Sequence, residues 1–129
     1  AAQWKPYHLI GLELGISVAS AALRNEPTGS PTGFRGDAVA TAKRDLKPGD
    51  ALDGEGGFTV YGKLMPAAAS LAAGGLPIGL AHGVTLKNAV AKDRPVGWAD
   101  VEIDPNIQAV QVRREMEAMF ADPATAAAQ

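Results

Sequence analysis

The sequence predicts an α+β, mainly β domain with an internal pseudo-twofold, preceded by an apolar helix and followed by a second helix. Three observations predict this. Fifteen glycines and nine prolines in 129 residues break the chain into short elements and turns. Between residues 38 and 104, the apolar residues come in short runs bounded by Gly, Pro, Asp and Asn, the pattern of strands and turns. The segment Thr41 to Leu52 is also echoed 44 positions later, with Thr41 matching Thr85, Lys43 matching Lys87, Leu46 matching Val90, Gly49 matching Asp93 and Leu52 matching Val96. Asp is one of the few side chains that tolerate a left-handed turn position, so the Gly49-to-Asp93 match is physically sensible. Two copies make a pseudo-symmetric pair of strand–turn–anchor units rather than a solenoid.

The predicted organisation is a helical segment over residues 1–25, a linker over 26–37, the β domain over 38–104, and a C-terminal helix and tail over 105–129. From His8 to Arg24, two apolar stripes at helical spacing (Leu9, Leu12, Ile16, Ala19, Leu23 and Ile10, Leu14, Val18, Ala22) predict a helix that is apolar on two faces. Such a helix is normally buried, which implies a partner surface. Glu26 to Asp37, with three glycines and two prolines, reads as linker. Val39 to Lys43 is the first strand. Lys47-Pro48-Gly49-Asp50 then places Pro and Gly at the central positions of a type II turn. Phe58 to Leu64 is a second strand, Pro66 to Gly75 a short helical turn closed by its glycines, Leu76 to Leu80 an extended apolar stretch, and Val84 to Val90 a further strand. Asp104 followed by Pro105 predicts a helix start. That helix runs to Phe120, with Ile107, Val110, Met116, Met119 and Phe120 on one face, and Ala121 to Gln129 reads as a loose tail.

Composition narrows the function. A net charge of −2 with interspersed signs leaves no nucleic-acid or membrane footprint. The absence of cysteine excludes disulfides, thiol catalysis and cysteine-based zinc sites, and is compatible with a cytoplasmic setting. No apolar run reaches the ~18 residues of a membrane span. The opening AAQWKPYH lacks the basic-then-apolar pattern of a signal peptide and an initiator Met. The expectation is therefore a piece excised from a longer protein.

The motifs carry a resemblance. Ala42-x-Arg44-Asp45-Leu46-x-x-Gly49-Asp50-x-Leu52, a central Gly75-Leu76-Pro77-Ile78-Gly79, and a second unit running from Val84-Thr85-Leu86-Lys87 to Trp98-Ala99-Asp100-Val101 resemble the SAF domain. This β-clip fold is shared by type III antifreeze proteins, sialic acid synthases and flagellar P-ring chaperones. The resemblance covers roughly Ala38 to Asp104. With KPYHLIGLE at Lys5 to Glu13 and the EPTG loop at Glu26, the chain is also similar to homoserine-dehydrogenase-like oxidoreductases that carry a C-terminal SAF domain, a group that includes deoxyxylulose-phosphate-reductoisomerase-like enzymes. That likeness implies that residues 1–25 are the helical end of a preceding catalytic domain, in an NAD(P)H-dependent parent whose upstream catalytic and nucleotide-binding domains are this chain's partners. It also implies a homo-oligomer and a role for this portion in completing the active site or holding the assembly. The alternative is a free-standing β-clip binding module for a sugar or ice surface, or a periplasmic chaperone domain.

The candidate chemistry is sparse. Gly54-Glu55-Gly56-Gly57 lacks phosphate-loop spacing, is followed by strand-prone residues, and contains a carboxylate that would repel phosphate, so it reads as a tight structural connection. His8 and His82 are the only histidines, without ligand spacing, so no metal site is expected. His8 reads as a structural hydrogen bond at the helix start, while the resemblance places it in the catalytic region, where it would line a substrate pocket. His82 reads as a turn residue. Lys63 reads as a solvated lysine, while the resemblance to sialic acid synthases implies a basic residue offered to a neighbouring active site, without the Arg-Pro-Gly pattern of those proteins. These three are the substrate- or partner-facing candidates, with no catalytic or cofactor-binding residue expected in the chain itself. Asp37, Asp45, Asp50 and Asp53 show no acid–base pairing. Lys43, Arg44 and Asp45 read as a solvated strand end, Arg113, Arg114, Glu115 and Glu117 as a solvated helix face, and Trp98 as a core anchor.

Overall fold

The computed structural model describes Trp4 and residues 6–121. The chain forms two compact units, Ala1–Thr32 and Gly33–Gln129.

In the first unit, helix α1 spans Ile10–Ala19 and continues as a wider π-helical turn, Ser20–Arg24, ended by Asn25 at φ 55°. The predicted helix is therefore present from Ile10. Before it, the Leu9 N–H donates to Glu13 Oε1 at 3.4 Å and the His8 ring lies 3.4 Å from Glu13 Oε2. No residue of α1 is buried. Ile10 is 75% exposed, Leu12 71% and Ile16 64%.

The second unit holds two small antiparallel sheets. Strand β1 (Gly36–Ala42) pairs with β3 (Val60–Pro66), and β2 (Ala51–Asp53), β4 (His82–Leu86) and β5 (Val101–Glu102) form a sheet in the order β2-β4-β5. Helix α2 (Ala67–Ala73) ends on Gly74 at φ 61°, as its glycines predict. Helix α3 covers Gln108–Ala121. The tail predicted beyond Ala121 lies outside the described residues.

Several boundaries move for identifiable reasons. The stretch Leu76 to Leu80 is extended only through Pro77 and then closes into a 3₁₀ turn, Ile78–Leu80. β4 stops at Leu86, short of Val90, because the N–H of Lys87 turns to the Asp100 carbonyl at 2.7 Å and the Asn88 amide reaches the Asp100 carboxylate at 3.2 Å. Asp104 caps a turn rather than a helix. Its carboxylate accepts the Asn106 N–H at 2.8 Å, and α3 begins only at Gln108.

The sequence echo is a structural dyad. Leu46 and Val90 exchange backbone hydrogen bonds at 2.8 and 3.1 Å. Around that bridge the bonds come in matched pairs under the same offset. Gly49 N–H donates to Leu86 O and Asp93 N–H to Ala42 O, while Leu86 N–H donates to Asp50 O and Ala42 N–H to Arg94 O. Gly49 sits at φ 89° and Asp93 at φ 64°, so both copies use a left-handed turn residue. The Asp50 N–H closes the first turn on Lys47 O at 3.0 Å. The two copies meet over one core in which Leu46, Leu52, Leu76, Leu86, Val39, Val60, Val96 and Val101 are fully buried. Each such side chain contributes roughly 1.5–3 kcal/mol.

Candidate functional site

The glycine run resolves into a structural clasp. The Asp53 carboxylate accepts the N–H of Phe58 at 2.5 Å and of Thr59 at 3.0 Å, and also the Thr59 hydroxyl. The Thr59 hydroxyl in turn accepts the Asp53 N–H at 3.0 Å. Residues 54–57 must therefore fold back within the reach of one carboxylate. A Cβ on Gly57 would lie 2.1 Å from Asp53 Cγ, and Gly54 sits at φ 71° with the place of its Cβ 3.0 Å from His82 Cβ. The Lys43 ammonium donates to the Gly57 carbonyl and ties the loop to the end of β1. The Thr59 hydroxyl and then the Phe58 N–H hold the Asp53 carboxyl far below the ordinary carboxylate range. The carboxylate is spent on the loop, leaving no phosphate cradle.

Of the three candidate residues, His8 belongs to the first unit, and His82 and Lys63 lie on different sheets of the second. His8 stands at the entry to α1, exposed, beside Glu13. His82 opens β4 rather than sitting in a turn, because its backbone pairs with Asp53 through a register shift, and its Nδ1 lies 3.1 Å from the Asp53 carbonyl. That oxygen can only accept, so Nδ1 carries the proton. His82 also borders an open cleft of about 230 Å³ with Leu80, Glu102, Ile103, Ile107 and Val110. Lys63 lies on β3, in the other sheet, opposite Val39 and exposed. Among the described residues no group of three or more His, Asp or Glu side chains could hold a metal ion.

A second dense polar cluster lies where the sequence reading expected a solvated helix face. Arg113 of α3 forks onto Asp37 of β1, with Nη2–Oδ2 at 2.5 Å and Nη1–Oδ1 at 3.1 Å. Ser70 of α2 donates to the same carboxylate at 2.5 Å. Glu117 accepts from Arg113 Nε at 2.7 Å, from Arg114 at 2.6 Å and from the Trp98 indole at 3.1 Å. The Arg113 guanidinium also covers the Phe34 ring, and that of Arg114 the Trp98 ring, each about 5 Å away. Burial alone would raise the Asp37 pKa. The bonds from Arg113 and Ser70 outweigh it and leave the group below its ordinary 3.8. Burial likewise opposes the charge on Arg113, and its bonds to Asp37 and Glu117 prevail. Among the described residues no buried polar side-chain atom is left without a partner, and the cluster fastens α3 to the β domain. The charged strand end is also structural in part, since Asp45 Oδ1 accepts the Lys92 N–H at 2.8 Å and locks one dyad unit to the other.

This architecture defines a clip-like β domain built from two dyad-related strand–turn–anchor units around one core. The chain belongs to the SAF domain family, whose pattern it matches over residues 37–102. No curated protein matches the chain. No helix among the described residues is long and apolar enough to cross a membrane.

Proposed function

We propose that this chain is the accessory C-terminal portion of an NAD(P)H-dependent oxidoreductase of the homoserine-dehydrogenase-like group. In this reading the SAF unit completes or covers an active site, or holds an oligomer together, while hydride transfer takes place on upstream domains in the cytoplasm. The observation that carries the reading is the state of α1. Its large apolar side chains, Ile10, Leu12, Leu14, Ile16 and Val18, are all more than half exposed, while the β domain has a closed core of its own. A helix of this kind needs a cover, and in the resembling enzymes the cover is the catalytic domain. The buried polar atoms of the cluster on α3 are all partnered, which fits an accessory role.

The test is the gene region upstream of Ala1, followed by the activity of its product. A glycine-rich strand–turn–helix encoded several hundred residues upstream, and NAD(P)H consumption by the full product but not by this chain, would support the reading. A start codon a few residues upstream, or NAD(P)H oxidation by this chain alone, would overturn it.

A further inference from the structure

Strand β3 has one engaged edge and one open edge. The Lys43 N–H bonds Thr59 O at 2.9 Å and the Ala67 N–H bonds Arg35 O at 3.0 Å, so the odd-numbered residues of this ladder face β1. Gly62 and Leu64 therefore turn their N–H and C=O groups away from β1, and no other element among the described residues takes them. Both residues are exposed, Leu64 by 79%. The far edge of β1, by contrast, is filled by bonds from Ala40 to Leu76 and from Ala42 to Arg94.

An open edge is a template for another strand, and proteins blunt such edges with bulges, proline, charge or a covering element. The β1–β3 ladder runs without a register shift, Pro66 lies at its end, and a single charge, Lys63, stands between the two open residues. The Lys63 ammonium has no hydrogen-bond or ion-pair partner among the described residues.

We propose that the outer edge of β3, from Gly62 to Leu64, is a docking site for an extended peptide segment. The segment adds as a strand and carries Asp or Glu opposite Lys63. The backbone of Gly62 and Leu64 supplies the main-chain bonds, and Lys63 supplies the selectivity. Towards an added antiparallel strand, Lys63 is a non-hydrogen-bonded position, where facing side chains come closest. Charge disfavours a second copy of this chain. Two-fold pairing about residue 63 would set Lys63 directly against its own equivalent, and like charges so placed repel, while pairing about Gly62 or Leu64 would set it against Tyr61 or Met65, with no carboxylate opposite it. The proposal does not depend on an oxidoreductase parent.

The experiment is an NMR titration of the ¹⁵N-labelled chain with two capped pentapeptides, Thr-Val-Glu-Val-Thr and Thr-Val-Lys-Val-Thr. The Gly62 and Leu64 amides shift and gain exchange protection with the Glu peptide, which binds about three- to tenfold more tightly than the Lys peptide. Lys63→Glu, a change at an exposed position, reverses the preference. Unshifted Gly62 and Leu64 amides, equal affinity for the two peptides, or self-association through those amides without peptide would overturn the proposal.

Discussion

Arg113 and Asp37 stand 76 positions apart and meet as a two-pronged ion pair, at 2.5 and 3.1 Å, with side chains only 13% and 5% exposed. That pair binds the last helix to the first strand of the β domain. Removing one partner from such a site leaves a buried charge uncompensated. Asp37→Ala is therefore expected to cost about 3 kcal/mol or more. Pairing it with Arg113→Met should recover part of the loss. Urea unfolding of the two variants and the parent checks both statements.

The same carboxylates set the response to acid. Asp37 and Asp53 both have folded-state pKa values below their ordinary 3.8. Their contribution is thus complete above the unfolded value and is lost as pH falls through the folded values. Stability should hold down to about pH 4 and fall steadily below it. In Asp37→Asn the fall should be shallower, starting from a lower plateau. Unfolding curves taken at a series of pH values read this directly, and a loss centred near neutrality would contradict it.

The glycine clasp separates two reasons for glycine. Gly57→Ala places a methyl group 2.1 Å from Asp53 Cγ, so the clasp must open or the loop must move. Gly56→Ala meets nothing within 4 Å and bears only the strain of a left-handed φ of 78°. The second change should cost roughly 1–2 kcal/mol and the first distinctly more. Thermal unfolding of the two single variants ranks them.

At the second dyad turn, Asp93 occupies φ 64° where its counterpart is glycine. Asp93→Gly should be neutral or stabilising by up to about 1 kcal/mol, and Asp93→Val destabilising by more than that, because a β-branched side chain resists this backbone region. If both variants unfolded alike, the shared turn geometry of the two copies would be wrong.

Much of this protein is legible in its residues alone. Pro48-Gly49 specified a turn because only certain residues reach positive φ without strain, and Asp93 marked its equivalent by the same chemistry. The apolar runs foretold most strands, α2 was bounded by its own glycines, and the two apolar stripes between His8 and Arg24 announced a helix. These are local properties, written in neighbouring residues. What only the tertiary structure decided are the long-range pairings. Glu117 looks like any solvated helix carboxylate until the fold brings Trp98 and Arg113 to it, and Asp37 looks like part of a linker until β1 carries it under Ser70 and Arg113. Asp53 likewise gave no sign that it would clasp Thr59. Nor could the sequence show that β1 would have both edges filled while β3 kept one open, because strand order depends on which chains the core draws together. Periodicity reports which side of an element is apolar, whereas a buried charge is permitted only by the partner that meets it, and that partner lies elsewhere in the chain.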